Sequence, residues 1–87
     1  NKRYKATKHI NDAITKIESE IATLEQKVVE CELEMEKPGF FDNAREAMQK
    51  TNQYQQLKDD IEKKTSKWEA LQLELEEILK TVNSEIN

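Results

Sequence analysis

The stretch EKPGFFDNAREAM, residues 36–48, holds the chain's single proline and its single glycine. Pro38 removes a backbone hydrogen-bond donor and disfavours helix at Lys37, and Gly39 permits a turn. The sequence on both sides is long, charged and poor in turn residues. The break therefore predicts two helices joined by a short turn, which favours an antiparallel hairpin within one chain.

The composition of the 87 residues is typical of long helices, with 37% charged and 36% hydrophobic residues. A chain of this size cannot bury a deep core, so its stability has to come from a narrow seam between helices. No apolar run is long enough to cross a membrane. The predicted fold is all-α, a two-helix antiparallel coiled-coil hairpin with a short basic N-terminal segment. Because the sequence begins with Asn1 and not with Met, we expect a fragment of a larger protein.

Apolar residues in the first half follow alternating steps of four and three residues, which is the heptad repeat of a coiled coil. The a positions are Ile14, Ile21, Val28 and Met35, and the d positions are Ile10, Ile17, Leu24 and Cys31.

The second helix has a start signal, because Asn43 can cap it and Glu46 follows three residues later, as in a capping box. Lys50 and Lys64 interrupt its seam at d positions, and such polar interruptions help to fix register. The seam residues are Ala47, Tyr54, Leu57, Ile61, Trp68, Leu71, Leu75, Ile78 and Val82.

The predicted organisation is one domain over residues 1–87, with a basic segment at 1–9, helix one at 10–36, the break at 37–42 and helix two at 43–84. Helix two is the longer, so we expect residues 1–9 to cover its last turns.

Pairing a with d positions allows two registers. The first places Met35 near Lys50, Ile21 near Lys64 and Ile14 near Leu71, and the second shifts helix two by one heptad. Phe40 and Phe41 are expected to fold onto the hairpin tip and seal the seam.

Catalysis and metal binding are not expected within this chain. His9 has no partners at metal-ligand spacing, and Cys31 is a small core residue with no histidine nearby. The single cysteine favours a reducing, cytoplasmic location. Trp68, at an a position, is interpreted as a core residue.

Three sequence elements in order resemble the C-terminal domain of ABC-F proteins, which are duplicated ATP-binding-cassette ATPases. They are ITKIESEIATLE at 14–25, KPGFF at 37–41 and SKWEAL at 66–71. The family has an Ile-Glu-x-Leu-Glu-like helix, an Asp-Pro-x-Phe-aromatic break and a Trp-x-x-Leu near the end of the second helix. Its Tyr-Lys segment corresponds to Tyr4 and Lys5, and the resemblance covers roughly residues 3–79.

This resemblance implies a coiled-coil hairpin at the end of an ATPase whose ATP and magnesium are bound elsewhere. No Gly-x-x-x-x-Gly-Lys phosphate loop occurs in this chain. Some ABC-F C-terminal domains bind DNA, and the family acts at the ribosome, so the implied partners are DNA or RNA and possibly the ribosome. No membrane partner is expected.

The basic residues indicate where phosphates would be contacted. Residues 1–11 carry four basic side chains and no acidic one, whereas residues 12–36 carry eight acidic and two basic ones. We expect one patch at the open end of the hairpin, since phosphate contact needs clustered cations. The predicted nucleic-acid-binding residues are Lys2, Arg3, Tyr4, Lys5, Lys8, Lys16, Lys63, Lys64 and Lys67.

Two other functions are open at this point. The coiled-coil arm of valyl-tRNA synthetases and the N-terminal helical domain of peptide-chain release factors have a comparable proline-aromatic break, so a tRNA- or ribosome-contacting module is one alternative. The other is a purely structural coiled-coil spacer. The hairpin is expected to be mostly monomeric, although β-branched Ile14 and Ile21 at a positions would also support weak self-association.

Overall fold

The computed structural model describes residues 2–86, with the side chains of residues 4–81. It consists of helix α1, Lys2–Met35, and helix α2, Ala44–Ile86, joined by a connection that includes one 3₁₀ turn at Phe40–Asp42. The two helices pack antiparallel and form a rod measuring 67 × 15 × 14 Å. Within residues 2–86 there is no strand, so the predicted all-α hairpin is confirmed. None of the helices in this range is both long and apolar enough to cross a membrane.

Helix α1 begins at Lys2, eight residues before the predicted start of helix one. The basic residues 2–9 are therefore the first two turns of α1 and not a separate segment. Lysine, arginine and alanine are good helix formers, and nothing between Lys2 and Ile10 breaks a helix. These turns lie along the last part of α2, where Leu75 and Ile78 are half-buried.

The core is a narrow seam made of the predicted a and d positions. The residues less than a tenth exposed are Ile10, Ile14, Ile17, Cys31, Ala47 and Leu57. The other predicted seam residues are half-buried, including Trp68, and the side chain of Val82 lies outside the described residues. No polar side chain among those described is buried.

Among residues 4–81, four polar side-chain contacts between the helices set their register, and they are of two kinds. In the first kind, a d-position lysine of α2 meets a g-position glutamate of α1: Lys50 lies 2.6 Å from Glu34, and Lys64 lies 3.4 Å from Glu20. Both contacts agree with the first predicted register, and the register shifted by one heptad is wrong.

In the second kind, an a-position aromatic residue of α2 donates a hydrogen bond to an e-position glutamate of α1. The Tyr54 hydroxyl donates to Glu32 at 3.3 Å, and the Trp68 indole N–H donates to Glu18 at 3.2 Å. The residue numbers of the four pairs total 84 or 86, so residues whose numbers total 85 lie level with each other along the rod.

The connection is shaped by Gly39, whose φ of +83° lies in the left-handed region. Backbone N–H groups of Phe40 and Asp42 donate to the carbonyls of Lys37 and Gly39, at 3.2 and 3.0 Å. Phe40 is half-buried at the tip. The prediction that both phenylalanines seal the seam is wrong for Phe41, which is 74% exposed. Its ring lies nearly perpendicular to the Phe40 ring, with the centroids 4.8 Å apart.

The start of α2 follows the sequence signal in part. The Asn43 side-chain oxygen accepts a hydrogen bond from the Glu46 backbone N–H at 3.1 Å, as an N-cap does. The reciprocal bond of a capping box, from the Asn43 N–H to the Glu46 carboxylate, is not among the hydrogen bonds of the described residues.

Candidate nucleic-acid interface

The two sides of the hairpin differ in charge, and the heptad positions define them. Positions c and g lie on one side of the seam, here named the c/g side, and positions b and e lie on the other, the b/e side. The b/e side carries acidic residues at seven-residue intervals on both helices. They are Glu18, Glu25 and Glu32 on α1, and Glu62, Glu69 and Glu76 on α2.

The c/g side carries a group of three exposed lysines near the middle of the rod: Lys16, Lys63 and Lys67, named here the lysine cluster. By the observed register, Lys67 lies about 3 Å along the rod from Lys16, and Lys63 lies about 9 Å from it, at 1.5 Å of rise per residue. Within residues 4–81 none of the three has a carboxylate within ion-pair distance. Their ammonium groups therefore face solvent and are available to an anionic partner.

The acidic neighbours of the cluster on α2 have hydrogen-bond donors of their own. The side-chain amides of Gln55 and Gln56 donate to Asp59 and Asp60 at 3.0 and 2.9 Å. Lys63 shares an open groove with Asp59 and Glu62. These bonds hold the Asp59 and Asp60 carboxylates along α2, and Lys63 forms no ion pair among the described residues.

Lys64 has a structural role in the fold. Its side chain is 35% exposed, and its ammonium group lies 3.4 Å from the Glu20 carboxylate across the seam. This lysine sets the register and is less available to a phosphate than the three exposed lysines of the cluster.

The structure does not bring the N-terminal basic residues into one patch with the lysine cluster. Because α1 is continuous from Lys2, Lys5 lies eleven residues before Lys16, which is about 16 Å along the helix axis. The single patch expected at the open end is therefore wrong, since Lys16, Lys63 and Lys67 lie farther along the rod than the N-terminal basic residues.

Lys8 and Tyr4 occupy the b/e side. The Lys8 ammonium group donates a 2.8 Å hydrogen bond to Asp12, and this bond raises the pKa of Lys8 above its ordinary value. Tyr4 is 67% exposed, at an e position. The side chains of Lys2 and Arg3 lie outside the described residues.

One residue of the c/g side was not among the predicted binding residues. Lys27 is exposed at a g position, on the same helix as Lys5 and Lys16. The signal that identifies it is the equal interval of eleven residues from Lys5 to Lys16 and from Lys16 to Lys27.

The described residues contain no group of three or more side chains suited to hold a metal ion. Cys31 is buried with a free thiol. The expectation that this chain is not itself an enzyme stays a prediction.

Comparison with known proteins places the chain in a family. A family model described as the ABC transporter C-terminal domain matches residues 5–73, which is most of the chain. The match takes in nearly all of α1, the connection with Pro38, Gly39 and the two phenylalanines, and α2 as far as Leu73. The chain belongs to the ABC transporter C-terminal domain family. No curated protein and no solved structure matched this chain.

Proposed function

We propose that this hairpin is an accessory domain of an ABC-F ATPase and that it contacts the phosphates of DNA or ribosomal RNA. The observation that carries the proposal is the lysine cluster, in which three exposed ammonium groups from two helices converge on one side of a rod. Backbone phosphates are bound by such groups without sequence preference and in a salt-dependent way. The family match favours this function over a synthetase arm or a release-factor domain.

The domain would add electrostatic affinity to a larger cytoplasmic protein. The ATP and magnesium of an ABC-F ATPase would be bound by phosphate-loop residues, which this chain lacks. A polyanion would approach the rod at the lysine cluster on the c/g side, because both sides carry acidic residues and the cluster is where three exposed cations lie together. The hairpin would thereby orient the ATPase on the nucleic acid as well as attach it.

The test is a salt series of binding to duplex DNA and to structured RNA. The variant K16Q/K63Q/K67Q removes the lysine cluster and leaves the register residue Lys64 in place. For three phosphate contacts on duplex DNA, the wild type should lose about 40-fold more affinity than this variant between 50 and 200 mM salt. Circular dichroism establishes that both remain helical.

The matched control is K37Q/R45Q/K80Q, which removes three positive charges from the hairpin connection and from other parts of α2. It should keep most of the salt-dependent binding. If both triple variants weaken binding equally, net charge and not the lysine cluster is responsible. If the folded wild type binds no nucleic acid at low salt, the hairpin is a structural spacer.

A further inference from the structure

Large apolar side chains that face solvent are confined to part of the surface of the rod. Among residues 4–81 they are Tyr4, Val29, Leu33, Phe41, Met48, Leu73 and Leu79. Phe41 lies in the connection, and the others occupy b, e or f positions of the two helices. In the described part of the chain, the c/g side therefore exposes no large apolar residue, although it carries the lysine cluster. Tyr4, Leu73 and Leu79 belong to the open-end half of the rod.

Tyr4, Leu79 and Trp68 lie along the gap between the two helices on the b/e side. Tyr4 and Leu79 are both at e positions, which border this gap, and by the observed register they are only about 3 Å apart along the rod. Trp68 is half-buried at an a position, about 20 Å farther toward the connection, and it shares an open groove with Gln72 and Leu73. These five residues carry no charge and are named here the uncharged strip.

The rim of the uncharged strip is acidic. Glu69 and Glu76, seven residues apart at b positions, line the groove of the strip, and Glu18 accepts the indole hydrogen bond from across the seam. Within residues 4–81 none of these three carboxylates lies within ion-pair distance of a cation. The b and e positions of this half include one basic residue, Lys8, which is already paired with Asp12 at 2.8 Å.

An uncharged strip with an acidic rim is complementary to an amphipathic helix whose apolar face is flanked by Lys or Arg. The strip is about 20 Å long, which corresponds to about 14 residues of a partner helix. Lys80 lies at an f position next to the outer end of the strip, and its single charge leaves the rim acidic. A polyanion would be repelled by this rim.

A second copy of the hairpin fits the strip less well than a basic helix does. The b and e positions of the two helices carry six glutamates and two lysines, Lys8 and Lys58. Lys8 is paired with Asp12, and the Lys58 ammonium group donates a 3.2 Å hydrogen bond to the Tyr54 hydroxyl. Two b/e sides that faced each other would therefore bring together two acidic surfaces, which disfavours their association.

We propose that the uncharged strip is the docking site for an amphipathic helix of a partner protein. The partner helix packs apolar residues against Tyr4, Trp68 and Leu79 and places Lys or Arg beside Glu69 and Glu76. An aromatic residue in such a groove is the kind of side chain that contributes most to a protein interface. The inference does not rest on the proposed function, because the strip and the lysine cluster lie on opposite sides of the seam.

The test uses Trp68 as a reporter, since it is the only tryptophan of the chain. The probe is a synthetic helical peptide of about 18 residues, with leucine at the core positions of each heptad, lysine at the flanking positions and no aromatic residue. Binding should shift the emission of Trp68 to shorter wavelength in a saturable way, because the peptide removes water from the half-exposed indole. The same peptide with glutamate in place of each lysine should bind about tenfold more weakly at low salt.

Two matched double variants test the apolar part of the contact. L73Q/L79Q removes two apolar side chains that are 63% and 48% exposed at the strip, and V29Q/L33Q removes two that are 47% and 59% exposed elsewhere on the rod. L73Q/L79Q should weaken binding of the lysine peptide about tenfold or more, because the peptide no longer buries these side chains. V29Q/L33Q should bind the peptide as the wild type does.

A second pair of variants tests the acidic rim. E69Q/E76Q removes the two carboxylates of the groove, and E25Q/E62Q removes two from the half of the same side that is nearer the connection. E69Q/E76Q should weaken binding of the lysine peptide about threefold at low salt and less at high salt, as exposed ion pairs do. E25Q/E62Q should have a smaller effect at every salt concentration.

Four results would overturn the inference. The first is that the folded wild type binds neither peptide, and the second is that the glutamate peptide binds as tightly as the lysine peptide. The third is an equal effect of L73Q/L79Q and V29Q/L33Q, which is also expected if the peptide displaces α2 from the seam. The fourth is dimerisation of the wild type, by sedimentation, that L73Q/L79Q abolishes, which would make a second copy the occupant.

The inference and the proposed function fail separately. K16Q/K63Q/K67Q should bind the lysine peptide as tightly as the wild type, because the lysine cluster is on the other side of the rod. A loss of peptide binding in this variant, while its helices stay intact by circular dichroism, would contradict the placement of the partner helix on the b/e side.

Discussion

The Lys50 ammonium group lies 2.6 Å from the Glu34 carboxylate, across the seam next to the hairpin connection. Lys50 occupies a d position, which normally faces the core, but 26% of its side chain is exposed. Its aliphatic part covers the seam while its charge stays at the solvent edge. The hydrogen bond from Lys50 lowers the pKa of Glu34, and the same bond raises the pKa of Lys50.

Replacing Glu34 with Gln should make the stability of the hairpin less dependent on pH. Because the pKa of Glu34 is lower in the folded state, its pair stabilises the fold above the unfolded value, near 4.5, and this contribution is lost as the pH falls through the folded pKa. The Tm difference between wild type and E34Q should therefore be larger at pH 7 than at about pH 2.5.

At alkaline pH, the stability that the Lys50–Glu34 pair contributes changes with pH in the opposite direction. The raised pKa of Lys50 means that the pair stabilises the fold below the unfolded value of 10.5 and that this contribution disappears as the pH rises through the folded pKa. E36Q, at an exposed neighbouring position, serves as the control. A Tm difference for E34Q that stays constant across pH would show that Glu34 acts through packing alone.

The seam was predictable because it depends on periodicity. Apolar spacing identified Ile10 to Met35 and Ala47 to Ile78 as core positions. The same periodicity left two registers open, and the contacts of Lys50 with Glu34 and of Lys64 with Glu20 decide between them.

The start of α1 and the tip were not predictable in the same way. Arg3 and Thr7 fall at d and a positions without being apolar, so the heptad pattern stops at Ile10 although the helix continues. The exposure of Phe41 depends on the path of the backbone through Gly39, which residue type alone does not determine. The positions of the basic residues were mispredicted for the same reason as the start of α1, because they depend on α1 being continuous from Lys2.

The contact between Trp68 and Glu18 should be measurable as a coupling energy. W68F keeps an aromatic ring in the seam but removes the indole N–H that donates to Glu18 at 3.2 Å. In a double-mutant cycle with E18A, urea unfolding should give a coupling of about 0.5–1 kcal/mol. Strictly additive effects of the two substitutions would mean that this hydrogen bond does not stabilise the hairpin.

Ile17 and Leu33 should respond very differently to truncation. Ile17 is 3% exposed in the seam, whereas Leu33 is 59% exposed on the outer face of α1. We expect I17A to lower the free energy of unfolding by about 2–4 kcal/mol and L33A to change it by about 0.5 kcal/mol or less. Denaturant titration checks both, and similar losses would contradict the assignment of the seam as the core.

Gly39 should tolerate asparagine better than alanine. Its φ of +83° is unfavourable for a residue with a Cβ, so G39A should cost about 1–2 kcal/mol, and G39N should cost less because asparagine adopts this conformation more readily. An added Cβ would lie 3.0 Å from the Asp42 Oδ2 atom. If D42A rescues G39A in thermal unfolding, then crowding and not the backbone conformation is responsible.

The contacts between the helices recur at a fixed interval. Lys50 and Lys64 are fourteen residues apart, as are their partners, Glu34 and Glu20, and the two aromatic–glutamate pairs repeat at the same interval. The hairpin is thus built from a modular unit of two heptads per helix. Adding or deleting one such unit in both helices would change the length of the rod by about 21 Å. The turn, the open end and the type of contact between the helices would stay the same. Length is accordingly a property that evolution or an engineer can alter in whole steps without redesigning the fold.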